Sequence, residues 1–109
     1  DGKKFGKVIV MTLLPATQGL YGFVIGIIAS GSVTADMATS KGWAIFGATI
    51  VIAVMGLFSA IFQGKAAVAG ITAVGKNESI SGKLMLFPAM IEFYAILAFV
   101  ISIILLSAI

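Results

Sequence analysis

Apolar residues fill three long blocks of this chain, and short polar segments separate them. No Asp, Glu, Lys or Arg lies between Lys7 and Asp36 or between Lys41 and Lys65, and beyond Lys83 the only such residue is Glu92. Each block exceeds the roughly 20 residues that an α-helix needs to cross a hydrocarbon core. The blocks are apolar on every side, without the polar–apolar alternation over about 10 positions that marks a membrane strand. The pattern predicts an all-α membrane protein built of transmembrane helical hairpins, a single domain over 1–109 with helices at about 8–30, 43–64 and 84–107. The middle helix is free to run on toward Val74, because Ala66–Ala73 is small and helix-compatible. Breakers fall where turns are needed, at Ser30-Gly31-Ser32, at Gly75-Lys76-Asn77-Glu78-Ser79 and at Ser81-Gly82.

The chain also repeats itself. Shifted by 73 positions, the first block lies on the third: Pro15 meets Pro88, Ala16 meets Ala89, Tyr21 meets Tyr94 and Ile28 meets Ile101. A shared Pro-Ala followed by Tyr at the same spacing points to a duplicated helical hairpin. The first and third blocks are then equivalent second helices, and the middle block is a first helix. On this reading the chain corresponds to helices two to four of a four-helix protein, apparently lacking the first. The register also sets Glu92 opposite Gly19, so one copy holds a carboxylate that the other does not.

Composition narrows the chemistry. His and Cys are absent, which excludes imidazole and thiolate metal sites, disulfides and Cys or His catalysis. The net charge of +3 reads as topology and not as nucleic-acid binding. Lys3, Lys4 and Lys7 precede the first block, Lys65, Lys76 and Lys83 surround the second turn, and the opposite side has only Lys41 against Asp36. By the positive-inside rule the N-terminus and the 65–83 loop face the cytoplasm, with Trp43 anchoring the outer interface.

Glu92 lies eight residues past Leu84, about 12 Å into the helix at ~1.5 Å per residue. A carboxylate at that depth costs several kcal/mol and marks a functional site by default. Its bland role would be interhelical hydrogen bonding, and the same holds singly for each polar residue near it. Taken together these residues form a pattern. Leu14, Thr17, Gln18 and Tyr21 share one helix face. Gln63 and Glu92 are equidistant from the Lys76–Ser79 turn, so an antiparallel pair sets them level. A carboxylate with hydroxyl and amide oxygens, and a carbonyl offered beside Pro15 by Leu14, is a hard all-oxygen site. Its single negative charge balances one monovalent cation and disfavours calcium or magnesium. A proton is the other candidate cargo, since a protonated carboxyl is also neutral in hydrocarbon. The small residues Gly19, Gly22, Gly26, Gly47 and Gly56 allow helices to approach closely.

Three segments carry a family resemblance. Leu13-Leu14-Pro15-Ala16-Thr17-Gln18-Gly19-Leu20-Tyr21-Gly22-Phe23 resembles the second-helix signature of the subunit K proteolipids of bacterial and archaeal V/A-type ATPases. Phe62-Gln63-Gly64-Lys65 resembles their third-helix motif, and Phe87-Pro88-Ala89-Met90-Ile91-Glu92-Phe93-Tyr94-Ala95-Ile96-Leu97 their fourth. The departures are Ala16, where Gly is frequent, and Phe93, where Thr is frequent, beside the carboxylate.

The resemblance implies a rotor-ring subunit of a rotary ATPase, not an enzyme on its own, in a prokaryotic cell membrane. It implies sodium held by Glu92, Thr17, Gln18, Gln63 and the Leu14 backbone carbonyl, with Tyr21 hydrogen-bonding the glutamate as a gate. It implies partners as well: a homo-oligomeric ring, a stator membrane subunit with a basic residue, a central-stalk subunit and membrane lipid. No cofactor is expected beyond the transported Na+ or H+, and sodium is favoured because a proton carrier would not require the three side-chain oxygens. The competing expectations are a stand-alone small helical ion transporter or channel, and a purely structural proteolipid; either would form a small oligomer instead of a large ring.

Overall fold

The computed structural model describes residues 2–77, 79 and 81–109; Glu78 of the expected turn and the side chain of Lys3 lie outside them. Helix α1 (Gly2–Leu13) passes through a 3-10 turn (Leu14–Ala16) into α2 (Thr17–Ser30). After the loop over 31–38 comes α3 (Thr39–Lys76), then a short α4 (Ser81–Leu84) and α5 (Leu86–Ser107). The chain is all-α, with three helices long and apolar enough to cross a membrane: Lys4–Ser30, Thr39–Lys76 and Gly82–Ser107. They lie side by side in a rod of 58 × 20 × 17 Å.

The helices outrun the apolar blocks, because lysine does not break a helix once its head reaches the headgroups or water. Thus α3 passes Lys65 and continues to Lys76; at ~1.5 Å per residue it is about 57 Å long, nearly twice a hydrocarbon core. It stops where Asn77 becomes extended (φ −151°, ψ 96°). The Asn77 Oδ1 accepts both the N–H and the hydroxyl of Ser79, at 3.2 and 2.6 Å, which turns the chain back. Lys4 donates to the Gly75 carbonyl at 2.8 Å, tying the start of α1 to the last turns of α3.

The two prolines occupy corresponding positions of the repeat, each close to an interruption of its helix. Pro15 has no N–H for the carbonyl four residues back, and the backbone tightens into the 3-10 turn, with the Thr17 N–H reaching Leu14 O. Pro88 is the third residue of α5, a first-turn position where proline is tolerated, just after the step at Met85 that separates α5 from α4.

Along α3 the buried positions are Ile45, Ala48, Ile52, Gly56, Ser59, Gln63, Ala67, Gly70 and Val74. They recur with steps of three, four and four. That eleven-residue period (about 3.67 per turn) stays close to the helix's own, so one seam faces the other spans along the whole length. At one end it meets the apolar cluster of Ile25, Ala29, Ala98 and Leu106, and at the other that of Met11. Ser59 and Gln63 lie between the two clusters. Gly70 admits α1 closely: a Cβ there would stand 3.1 Å from Met11 Sδ. Large apolar side chains such as Phe23, Phe58 and Leu97 face outward, more than half exposed, as in a chain whose solvent is lipid. Trp43 is exposed in the second turn of α3, its ring edge-on to Phe46 at 5.8 Å.

Candidate cation site

Between the two apolar clusters, one polar residue after another is drawn inward. Gln63 is fully buried, Ser59 is 4% exposed, Gln18 6% and Glu92 9%. A buried polar group without a partner costs about 1–3 kcal/mol. Here each finds one on a neighbouring helix.

The carboxylate of Glu92 accepts three hydrogen bonds. The Thr17 hydroxyl donates to Oε1 at 2.6 Å and the Tyr21 phenol to the same oxygen at 2.7 Å. The Gln63 amide donates to Oε2 at 2.7 Å. All three donors are neutral, so the carboxylate charge is dispersed by them but not cancelled. Gln63 is the hub. Its NH2 also reaches the Pro88 carbonyl at 2.8 Å, one turn before Glu92, and its Oε1 accepts from Gln18 at 2.9 Å. The Gln18 NH2 is shared with Ser59 Oγ at 3.3 Å, and Ser59 in turn bonds the Gly56 carbonyl at 3.2 Å. Two amides in series therefore run from α2 through α3 to the carboxylate on α5.

Thr17 is the other convergence point. Three acceptor oxygens lie within reach of its hydroxyl: Glu92 Oε1 at 2.6 Å, Leu14 O at 2.8 Å and Gln18 Oε1 at 3.3 Å. A hydroxyl has one proton, so it satisfies one of these oxygens at a time. The 3-10 turn makes this geometry, because it brings Thr17 round under the Leu14 carbonyl. Four hard oxygens crowd one point, and together they carry one negative charge. That donor set suits a small monovalent cation.

All six residues singled out by sequence come together. Leu14, Thr17, Gln18 and Tyr21 line up on the first span, and Gln63 meets Glu92 across the turn. The arrangement differs from expectation at Gln63, which presents its nitrogen to the carboxylate and turns its oxygen toward Gln18. Sequence reasoning missed Ser59, which stands one turn before Gln63 on the buried seam. It also missed the Pro88 carbonyl as an acceptor. The eleven-residue spacing along α3 was the available signal for Ser59.

Comparison with known proteins agrees with this fold. Residues 46–105 match the family model of the ATP synthase C-subunit, more than half of the 109 residues. The chain is 48% identical over 100 residues to the V-type sodium ATPase subunit K of Enterococcus hirae, a match covering 92% of this chain and 64% of that protein. It is 44% identical over 106 residues to the A-type ATP synthase subunit K of Methanocaldococcus jannaschii, covering 97% of this chain and 46% of that one. The chain thus spans roughly half to two thirds of the length of these relatives. Helix architecture, mid-span carboxylate and sequence match lead to one assignment: the chain belongs to the C-subunit family of ATP synthases.

Proposed function

We propose that this chain is part of the rotor ring of a V/A-type rotary ATPase and carries one sodium ion on Glu92. The crowding of Thr17 carries the reading. A hydroxyl with one proton and three acceptor oxygens is better satisfied when a cation replaces the shortfall of protons. Thr17 Oγ1, Gln18 Oε1, the Leu14 carbonyl and Glu92 Oε1 are the oxygens to bind it. Gln63 holds the second carboxylate oxygen in place, and the Tyr21 phenol closes over the first. The Enterococcus hirae relative bears sodium in its name.

The loaded site is neutral and so is tolerated beside lipid. At a stator subunit, a basic residue and an aqueous path stabilise the free carboxylate, the ion leaves, and the ring turns. The chain itself does no bond chemistry; ATP is hydrolysed or made elsewhere in the complex, reached through a central stalk. The N-terminus and the 65–83 loop face the cytoplasm of a prokaryotic cell.

The test is the sodium dependence of ATP hydrolysis by the assembled complex at fixed pH. Sodium should stimulate the natural protein. Thr17→Val, which keeps the shape and removes one ligand worth about 1.4 kcal/mol, should raise the half-saturating sodium concentration roughly tenfold. Activity that ignores sodium in both proteins would make the proton the cargo.

A further inference from the structure

An amide has two ends of nearly equal size, and only one of them suits a cation: the oxygen binds it, whereas the NH2 group repels it. Gln18 turns the oxygen inward. Its Oε1 lies 3.3 Å from the Thr17 hydroxyl, among the oxygens that would hold the ion. Its Nε2 points away, donating to Gln63 Oε1 at 2.9 Å and to Ser59 Oγ at 3.3 Å. Gln18 is buried, so water is not at hand to satisfy a reversed amide. Its orientation is therefore decided by those two acceptors.

Each acceptor is itself held in that role. The Gln63 NH2 is committed to the Pro88 carbonyl at 2.8 Å and to Glu92 Oε2 at 2.7 Å, which leaves the Gln63 oxygen to face Gln18. Of these two partners the carbonyl accepts in every state of the site, because it has no proton to give. Ser59 is less constrained by its chemistry, since a hydroxyl can give a hydrogen bond or take one. It has one proton, and this goes to the Gly56 carbonyl three residues back at 3.2 Å. Toward Gln18 it then has only lone pairs to offer. The first span crosses close to the same point: a Cβ on Gly56 would stand 4.0 Å from that of Gln18. Both ends of the amide series thus terminate on backbone carbonyls, whose polarity does not reverse.

We propose that Ser59 is a positioning residue for the ion site: with its proton held by the Gly56 carbonyl, it accepts from Gln18 and keeps Gln18 Oε1 turned to the sodium ion. This inference rests on the sodium reading and adds to it a residue that touches no ion itself. Ser59 belongs to α3, whereas the ligand oxygens belong to the first span and to α5. The middle span thereby sets the ligand geometry without supplying a ligand oxygen. Without the hydroxyl, one Gln18 N–H would be buried with no acceptor, and reversal of that amide would bring NH2 to the cation. Glu92 would keep its bonds from Thr17, Tyr21 and Gln63, none of which bonds Ser59. The effect should therefore fall on sodium affinity and spare the carboxylate's own network.

The experiment follows sodium-stimulated ATP hydrolysis by the assembled complex at fixed pH as sodium is varied. Ser59→Ala should raise the half-saturating sodium concentration about three- to tenfold, with the loss recovered at saturating sodium. Ser59→Cys keeps the volume but is a weak acceptor, and should behave like Ser59→Ala. In a Gln18→Leu background the same Ser59→Ala change should shift half-saturation less than about twofold, because Ser59 acts through Gln18. Natural sodium dependence in Ser59→Ala or Ser59→Cys would make the hydroxyl irrelevant, and a full shift in the Gln18→Leu background would mean that it acts elsewhere. Either result overturns the proposal, as does a fall in maximal turnover at unchanged half-saturation. In each of these cases a natural complex stimulated by sodium leaves the sodium reading standing. A natural complex indifferent to sodium would overturn both.

Discussion

Glu92→Gln should lower sodium affinity at least a hundredfold and abolish sodium-coupled turnover while leaving the helices in place. Glutamine is nearly isosteric and still accepts from Thr17 and Tyr21 through its one oxygen, so most of the network at 2.6–2.7 Å survives. What disappears is the charge, and with it the bond from the Gln63 amide, since an NH2 in place of Oε2 cannot accept. A cation left at that position would face only neutral dipoles, and loss of one partner of a buried ion pair costs about 3–5 kcal/mol. At about 1.4 kcal/mol per factor of ten, sodium affinity should fall by at least a hundredfold. Radioactive sodium uptake by vesicles containing the complex, driven by ATP, measures it. Helix content by circular dichroism should stay unchanged. Uptake that persists in Glu92→Gln would remove the carboxylate from the transport path.

Gln63→Leu should have the next largest effect, through position and not charge. Leucine fills most of the volume, but three hydrogen bonds vanish at a residue with no exposure: those to Glu92, to the Pro88 carbonyl and from Gln18. Each buried group left without a partner costs about 1–3 kcal/mol, and water and rotamer changes recover part of it. The carboxylate also loses the donor that fixes Oε2. Sodium affinity should drop about ten- to a hundredfold at unchanged stoichiometry, with a lower melting temperature of the detergent-solubilised protein. Gln63→Asn, which keeps the amide but shortens its reach, should fall between the two. If Gln63→Leu bound sodium as the natural protein does, the amide series would be a packing device only.

Much of this fold is legible in the sequence because lipid imposes a coarse rule, and charge-free blocks announce spans. Helix ends are less legible. Lys65 does not end α3, since a long side chain carries its charge away from the helix axis; its ammonium lies 5.8 Å from the Phe62 ring centroid. The level of Glu92 against Gln63 followed from counting about the turn, because an antiparallel pair has little freedom of register. The direction of the Gln63 amide did not follow, as it depends on where Gln18 and the Pro88 carbonyl fall around it. The glycines divide in the same way. Gly56 meets α2, with its Cβ position 4.0 Å from that of Gln18, whereas Gly19, Gly22, Gly26 and Gly47 have open space beside them. Gly70, which composition did not single out, makes the closest approach. A glycine reports that something approaches; only the packing shows whether it is the same chain.

The most direct measurement is labelling of Glu92 by a hydrophobic carbodiimide in membranes at fixed pH, across a sodium titration. Such a reagent attacks a protonated carboxyl in lipid. Sodium should protect Glu92 in a saturable manner, and Thr17→Val should shift the protection to higher sodium. Labelling of Glu92 that follows pH and is indifferent to sodium would contradict a sodium site among these oxygens and leave the proton as cargo.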